Sequence, residues 1–231
     1  MQWLGSLLFT TYLFVSTFFY AVFVLAVSWL PDDKLYRVAQ FWARNQLWVL
    51  GKLCGLRYTV EGLENIPAGN HISMWKHSSA WETIAQMVVF PPQSWVLKRE
   101  LMWIPLVGWA MRSMRPIAIN RKAGGSAVNQ VVSQGKDRLD EGRWILIFPE
   151  GTRVPPGETR RYGVSGALLA ARTGRLVVPV AHNAGFFWQR RGLLKRAGVI
   201  RVVIGPPITT EGRDPRKIGR ASCRERVFSS V

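Results

Sequence analysis

Trp144-Ile145-Leu146-Ile147-Phe148-Pro149-Glu150-Gly151-Thr152-Arg153 joins an apolar run to a polar turn. The run at 144–148 has the length and composition of a buried strand, and Pro149 and Gly151 end it. A polar turn at the carboxyl end of such a strand is where open α/β sheets hold their ligands. Gly151 lets the backbone approach a ligand closely, Thr152 offers a hydroxyl, and Arg153 presents a planar fork to phosphate oxygens. An ordinary polar turn after a core strand is the competing reading.

Working outward from this run, further strands are expected at 57–60, 95–98, 116–120, 176–181 and 200–204. Helices are expected at 81–89, 103–114, 127–140 and 164–172. Strands alternating with helices give an α/β fold with a mostly parallel central sheet flanked by helices. Residues 218–231 show no such pattern. Ile218-Gly219-Arg220-Ala221-Ser222-Cys223-Arg224-Glu225-Arg226-Val227 matches the translation of a common sequencing adapter, so this segment is expected to be a non-native tail.

Toward the amino terminus the pattern changes. Residues 3–30 carry no charge, and about 20 apolar residues are enough to cross a bilayer. No basic stretch precedes the run, which argues against a cleaved signal peptide and for a retained anchor. Trp3 and Trp29 stand near its ends, as interfacial aromatics do. Lys34, Arg37, Arg44, Lys52 and Arg57 come after it, so the remainder should face the cytoplasm, at a bacterial inner membrane. Residues 32–56 read as a basic, Trp-rich helix. It either lies in the headgroup layer or packs its apolar stripe on the α/β domain, and periodicity does not separate the two. The sheet is thus preceded by an N-terminal membrane-anchoring helix or two-helix motif at 1–56.

The whole chain has 231 residues, 48% of them hydrophobic, which excludes global disorder. It carries 31 Lys and Arg against 14 Asp and Glu, a formal charge of +17, so its partners should be anionic. Two cysteines and three histidines exclude a disulfide framework and leave little for a metal cluster.

Three more segments carry possible chemistry. Lys76-His77-Ser78-Ser79-Ala80-Trp81-Glu82 sets a carboxylate five positions after a histidine. If the chain turns into a helix here, Glu82 can brace one imidazole nitrogen of His77 and leave the other as a general base. On spacing alone an ordinary structural hydrogen bond competes with that reading. Pro116-Ile117-Ala118-Ile119-Asn120-Arg121 ends a strand in Arg121, placed either to share a phosphate with Arg153 or simply to open a solvated loop. Val177-Val178-Pro179-Val180-Ala181-His182 is a strand with a Pro-shaped end, and His182 reads as structural because no acid lies near it in sequence.

Taken in order, His77-x4-Glu82, Arg121, Phe-Pro-Glu-Gly-Thr-Arg at 148–153 and Val-Pro-Val at 178–180 resemble the glycerolipid acyltransferase family. The likeness is greatest to bacterial 1-acyl-sn-glycerol-3-phosphate acyltransferases and covers roughly residues 57–210. It implies an acyltransferase domain at 57–217. It also implies transfer of an acyl group from acyl-CoA or acyl-carrier protein to the sn-2 hydroxyl of lysophosphatidic acid, giving phosphatidic acid. His77 and Glu82 would be catalytic. Arg121, Glu150, Gly151, Thr152 and Arg153 would bind substrate, with Glu150 on an acceptor hydroxyl or on Arg153. No metal and no organic cofactor would be needed, and no nucleic acid is expected as a partner.

The sequence departs from the family pattern in having Glu82 where Asp is usual. It also holds a decoy. Asn70-His71-Ile72-Ser73 copies the usual opening, but its acid position is Lys76, which cannot orient an imidazole. Competing expectations are a different acceptor (glycerol 3-phosphate, a lyso-ornithine lipid or another lysophospholipid) and a non-catalytic membrane protein binding anionic lipid or nucleic acid.

Overall fold

The computed structural model describes residues 1–158 and 160–210; the expected tail at 218–231 lies outside them. Two long helices come first, α1 (Gln2–Ala26) and α2 (Asp32–Cys54). Seven strands come after them: β1 (Leu56–Glu61), β2 (Ile72–Trp75), β3 (Gln93–Lys98), β4 (Ile117–Ile119), β5 (Trp144–Ile147), β6 (Val177–His182) and β7 (Gly198–Ile204). Between them lie α3 (Glu82–Val89), α4 (Val107–Arg112), α5 (Gly125–Asp140), α6 (Ser165–Thr173) and the short α7 (Ala184–Phe187). The strand order is β1-β7-β6-β2-β5-β3-β4, parallel throughout except at the β6–β7 pair.

Alternation along each strand divides the core in two. Ile72 and Met74 of β2, with Ile145 and Ile147 of β5, face α5 and α6. Trp75, Trp144 and Leu146 point the other way, toward α1 to α4. All four residues of β2 and all four of β5 are buried, as in strands covered on both faces. β2 is a strand that sequence patterning missed. It is four residues long and carries the polar Ser73, whose hydroxyl donates to the Ile145 carbonyl at 3.5 Å. The helix expected at 103–114 is also shorter. Pro105 has no N–H to give, and Leu106 takes φ +60, so the regular helix starts only at Val107.

α2 resolves the choice left open for residues 32–56. Leu35, Ala39, Ala43, Leu47, Leu50 and Cys54 form a stripe at helical spacing, and it is buried. That stripe packs on the protein, while Arg37, Phe41, Arg44, Trp48 and Lys52 form the opposite, exposed stripe. α1 docks across α2 and α4 but exposes Trp3, Leu4, Leu7, Phe14, Phe18 and Phe19. Its first turn approaches so closely that a Cβ on Gly5 would sit 2.1 Å from the Leu53 carbonyl oxygen, so only glycine fits there. Polar residues on the docked face find partners far along the chain. The Lys195 amide donates to the Ser6 hydroxyl at 2.9 Å. The Lys195 ammonium donates to the Thr10 hydroxyl and to the Leu193 carbonyl, and lies 4.8 Å over the Trp188 ring.

Candidate active site

The C-terminal ends of β2 and β5 lie side by side, and the segments leaving them build the site. After β2 the chain runs through His77, Ser78 and Ser79 before α3 begins at Glu82. A carboxylate on the first turn of a helix faces unpaired amides. Glu82 reaches back to the free amides of the loop just ahead of the helix: Ser78 N donates at 2.9 Å, and Ser79 N donates at 2.8 and 3.0 Å to its two oxygens. The same carboxylate accepts from His77 Nδ1 at 2.9 Å. With Nδ1 donating, Nε2 carries the lone pair, and the ring retains 15% exposure. Burial pushes the Glu82 carboxyl up. The hydrogen bond from His77, the two neighbouring imidazoles and the Ser79 amide outweigh it, and the group ends below the usual carboxylate range.

The segment leaving β5 meets this loop. Phe148 stacks on His77 with ring centroids 4.0 Å apart and planes 19° from parallel. Val154 N donates to the His77 carbonyl at 2.8 Å. Between them, Gly151 turns the chain at φ +66 and its N–H closes a turn onto the Phe148 carbonyl at 2.9 Å. The Gly151 carbonyl in turn accepts from Arg121 Nη1, so Arg121 reaches the turn and ties itself to it. Arg153 Nε is buried and, among the described residues, has no partner. Thr152 is half-buried, and its hydroxyl makes no hydrogen bond among the described residues. Arg121, Thr152 and Arg153 therefore meet at the Gly151 turn, whose two flanks, Phe148 and Val154, touch His77.

Glu150 requires a correction. The family resemblance puts it on an acceptor hydroxyl or on Arg153. Its side chain is instead wholly buried, and both carboxylate oxygens are engaged. One accepts from the Lys76 ammonium at 2.5 Å and the other from the His77 backbone N–H at 2.7 Å. Glu150 thus faces away from its neighbours in the turn and fixes the main chain of the histidine. Lys76, which in the sequence serves only to reject His71, is its counter-ion.

The decoy histidine lies at the other end of β2. His71 packs on Trp144 with centroids at 5.4 Å, its Nδ1 accepts from Leu176 N, and its Nε2 lies 3.1 Å from the Ala68 carbonyl. Both nitrogens are used, and among the described residues no carboxylate braces it.

A family model described as Acyltransferase matches residues 57–183. The chain is 44% identical over 202 residues to the 1-acyl-sn-glycerol-3-phosphate acyltransferase of Pseudomonas aeruginosa, covering 87% of this chain and 79% of that one. The chain belongs to the acyltransferase family. The enzyme of the same name from Borreliella burgdorferi is 32% identical over 159 residues, 68% of this chain and 63% of its own. Among solved structures, the 1-acyl-sn-glycerophosphate acyltransferase PlsC of Thermotoga maritima shares the fold, with a TM-score of 0.77 at 24% identity over 95% and 92% of the two chains.

Two features of this acyltransferase site were not visible in its motifs. His182 is fully buried, 3.9 Å from Glu82. Its Nε2 donates to the Lys76 carbonyl at 2.8 Å and its Nδ1 accepts from Ala184 N at 3.3 Å, which holds the ring neutral. Burial also depresses its pKa. The second feature is an apolar cavity of about 310 Å³ between α1, α2, α3 and α4. Phe148 and Thr83 line it, so its wall includes the ring that stacks on His77 and the neighbour of Glu82.

Proposed function

We infer that this acyltransferase moves an acyl group from a thioester to the sn-2 hydroxyl of lysophosphatidic acid, giving phosphatidic acid. The observation that carries the reading is the His77 imidazole, held by Glu82 at 2.9 Å and backed by Phe148, which also lines the apolar cavity. Nε2 takes the proton from the acceptor hydroxyl as that oxygen attacks the thioester carbonyl. Glu82 stabilises the imidazolium that results. The tetrahedral adduct then collapses, the carbon–sulfur bond breaks, and the leaving thiolate takes the proton back from Nε2. Arg153, with Thr152 and Arg121, grips the acceptor phosphate, which answers the unpartnered guanidinium nitrogen. The cavity takes the acyl chain, each methylene placed there gaining about 0.8 kcal/mol. The proton leaves the hydroxyl for Nε2 and returns to the departing sulfur, so the reading calls on no metal or organic cofactor. Acyl-CoA or acyl-carrier protein serves as co-substrate.

The lipid acceptor favours a site at a bilayer, and α1 is the one described helix long and apolar enough to cross one. It is pinned along its length by Lys195, α2 and α4. Crossing would drag those polar partners into hydrocarbon, so α1 lies in one leaflet beside the domain. The Lys and Arg residues after α1 are drawn to an anionic leaflet, which favours the cytoplasmic face of a bacterial inner membrane.

An acyl-transfer assay over a panel of acceptors tests the reading. Wild type is expected to prefer lysophosphatidic acid, and His77→Ala to lose about 10²–10⁴-fold in kcat. His71→Ala should retain turnover. A His77→Ala protein as active as wild type would refute the mechanism.

A further inference from the structure

A second cavity, cationic rather than apolar, lies away from the proposed catalytic residues, between the exposed stripe of α2 and the start of β1. It is an open groove of about 480 Å³ whose lining includes Arg44, Trp48, Lys52, Arg57 and Tyr58. No acidic residue lines it. Arg44, Lys52 and Arg57 make no ion pair and no side-chain hydrogen bond among the described residues, in contrast to Arg115, Arg138, Arg143 and Arg201, which hold carboxylates. Trp48 is 62% exposed, and the Lys52 ammonium lies over its ring at 5.8 Å from the centroid. Three uncompensated cations and an amphipathic ring form a receptor for a phosphate ester whose remainder is apolar.

Topology fixes which way the groove faces. β1 runs parallel to β7, β7 antiparallel to β6, and β6 parallel to β2. β1 therefore enters the sheet at the end where β2 and β5 leave it, which is the end that carries His77. The start of α1 packs against the end of α2, whose last turns form one wall of the groove. Gln2 Nε2 donates to the Cys54 carbonyl at 2.9 Å, which sets the exposed Trp3, Leu4 and Leu7 beside the last turn of α2. An apolar helix face, a Trp and a basic groove at one level match hydrocarbon, interface and headgroup in order.

We propose that this groove binds the phosphate headgroup of an acidic membrane phospholipid that is not itself acylated. The bound headgroup sets the depth and tilt at which the catalytic end of the sheet meets the leaflet. The inference rests on the membrane reading above and goes beyond it in assigning a headgroup site separate from the catalytic one.

Flotation of the full chain with pure phosphatidylcholine vesicles, and with vesicles also containing phosphatidylglycerol, tests it. The variants are Arg44→Gln/Lys52→Gln/Arg57→Gln and, as a control, Lys136→Gln/Arg172→Gln, which removes charge from α5 and α6 near the other end of the sheet. Wild type should prefer the acidic vesicles. The groove variant should lose that preference by about fivefold per charge, on the order of a hundredfold in all, and the control should lose far less per charge. Equal turnover of water-soluble short-chain substrates in detergent by all three proteins establishes that they are folded. Equal wild-type binding to both vesicle types, or equal losses per charge in groove variant and control, would overturn the headgroup site while leaving the membrane reading intact. A wild type that floats with neither vesicle would overturn both.

Discussion

His77, the proposed general base, is held from two directions, through its ring by Glu82 and through its amide by Glu150. The first contact was legible in the sequence because both partners lie within one turn of chain, where spacing constrains geometry. The second was not, since Glu150 lies 73 and 74 residues from the groups it binds. The ammonium of Lys76 is what makes that buried carboxylate tolerable. Lys76→Met should therefore destabilise the protein by about 3–5 kcal/mol by leaving a charge unpaired, and Lys76→Met/Glu150→Gln by clearly less. Chemical denaturation of the two variants checks this. Behind them His182 stays neutral because burial lowers its pKa. The unfolded chain then binds a proton that the folded one refuses, between the ordinary value near 6.5 and the lowered one. Stability should fall as pH drops below about 6.5, and His182→Asn should lack that part of the slope. Denaturation midpoints measured across the range decide it.

At the scale of elements, strand and helix order was readable because most apolar runs are bounded by Gly, Pro or charge. β2 escaped because it is short and carries Ser73, and its burial comes from tertiary neighbours on both faces rather than from its own pattern. The same limit hid the apolar cavity proposed for the acyl chain, which no single segment encodes; α1, α2, α3, α4 and β3 each give it part of a wall. Ala110 on α4 faces into it. Ala110→Trp should shorten the accepted donor chain, with kcat/KM for longer donors falling about fourfold per methylene excluded and short donors spared. A donor-length series gives the answer, and an unchanged profile would place the chain elsewhere.

For the molecule as a whole, the sequence conveyed an apolar first helix and a basic remainder but not how they are joined. α1 looks autonomous in composition, yet the polar residues on its docked face are committed to distant partners. Ser6 and Thr10 meet Lys195, 189 and 185 residues later in the chain. β1 waits as well, because its only neighbour in the sheet is β7. A ribosome adding about 5–20 residues per second needs roughly 10–40 seconds to deliver that lysine. Through that interval α1 has α2 and then α4 to pack against but lacks the lysine that Ser6 and Thr10 will bind. Until then the hydroxyls of Ser6 and Thr10 depend on water or lipid headgroups for the contacts that the finished fold gives them.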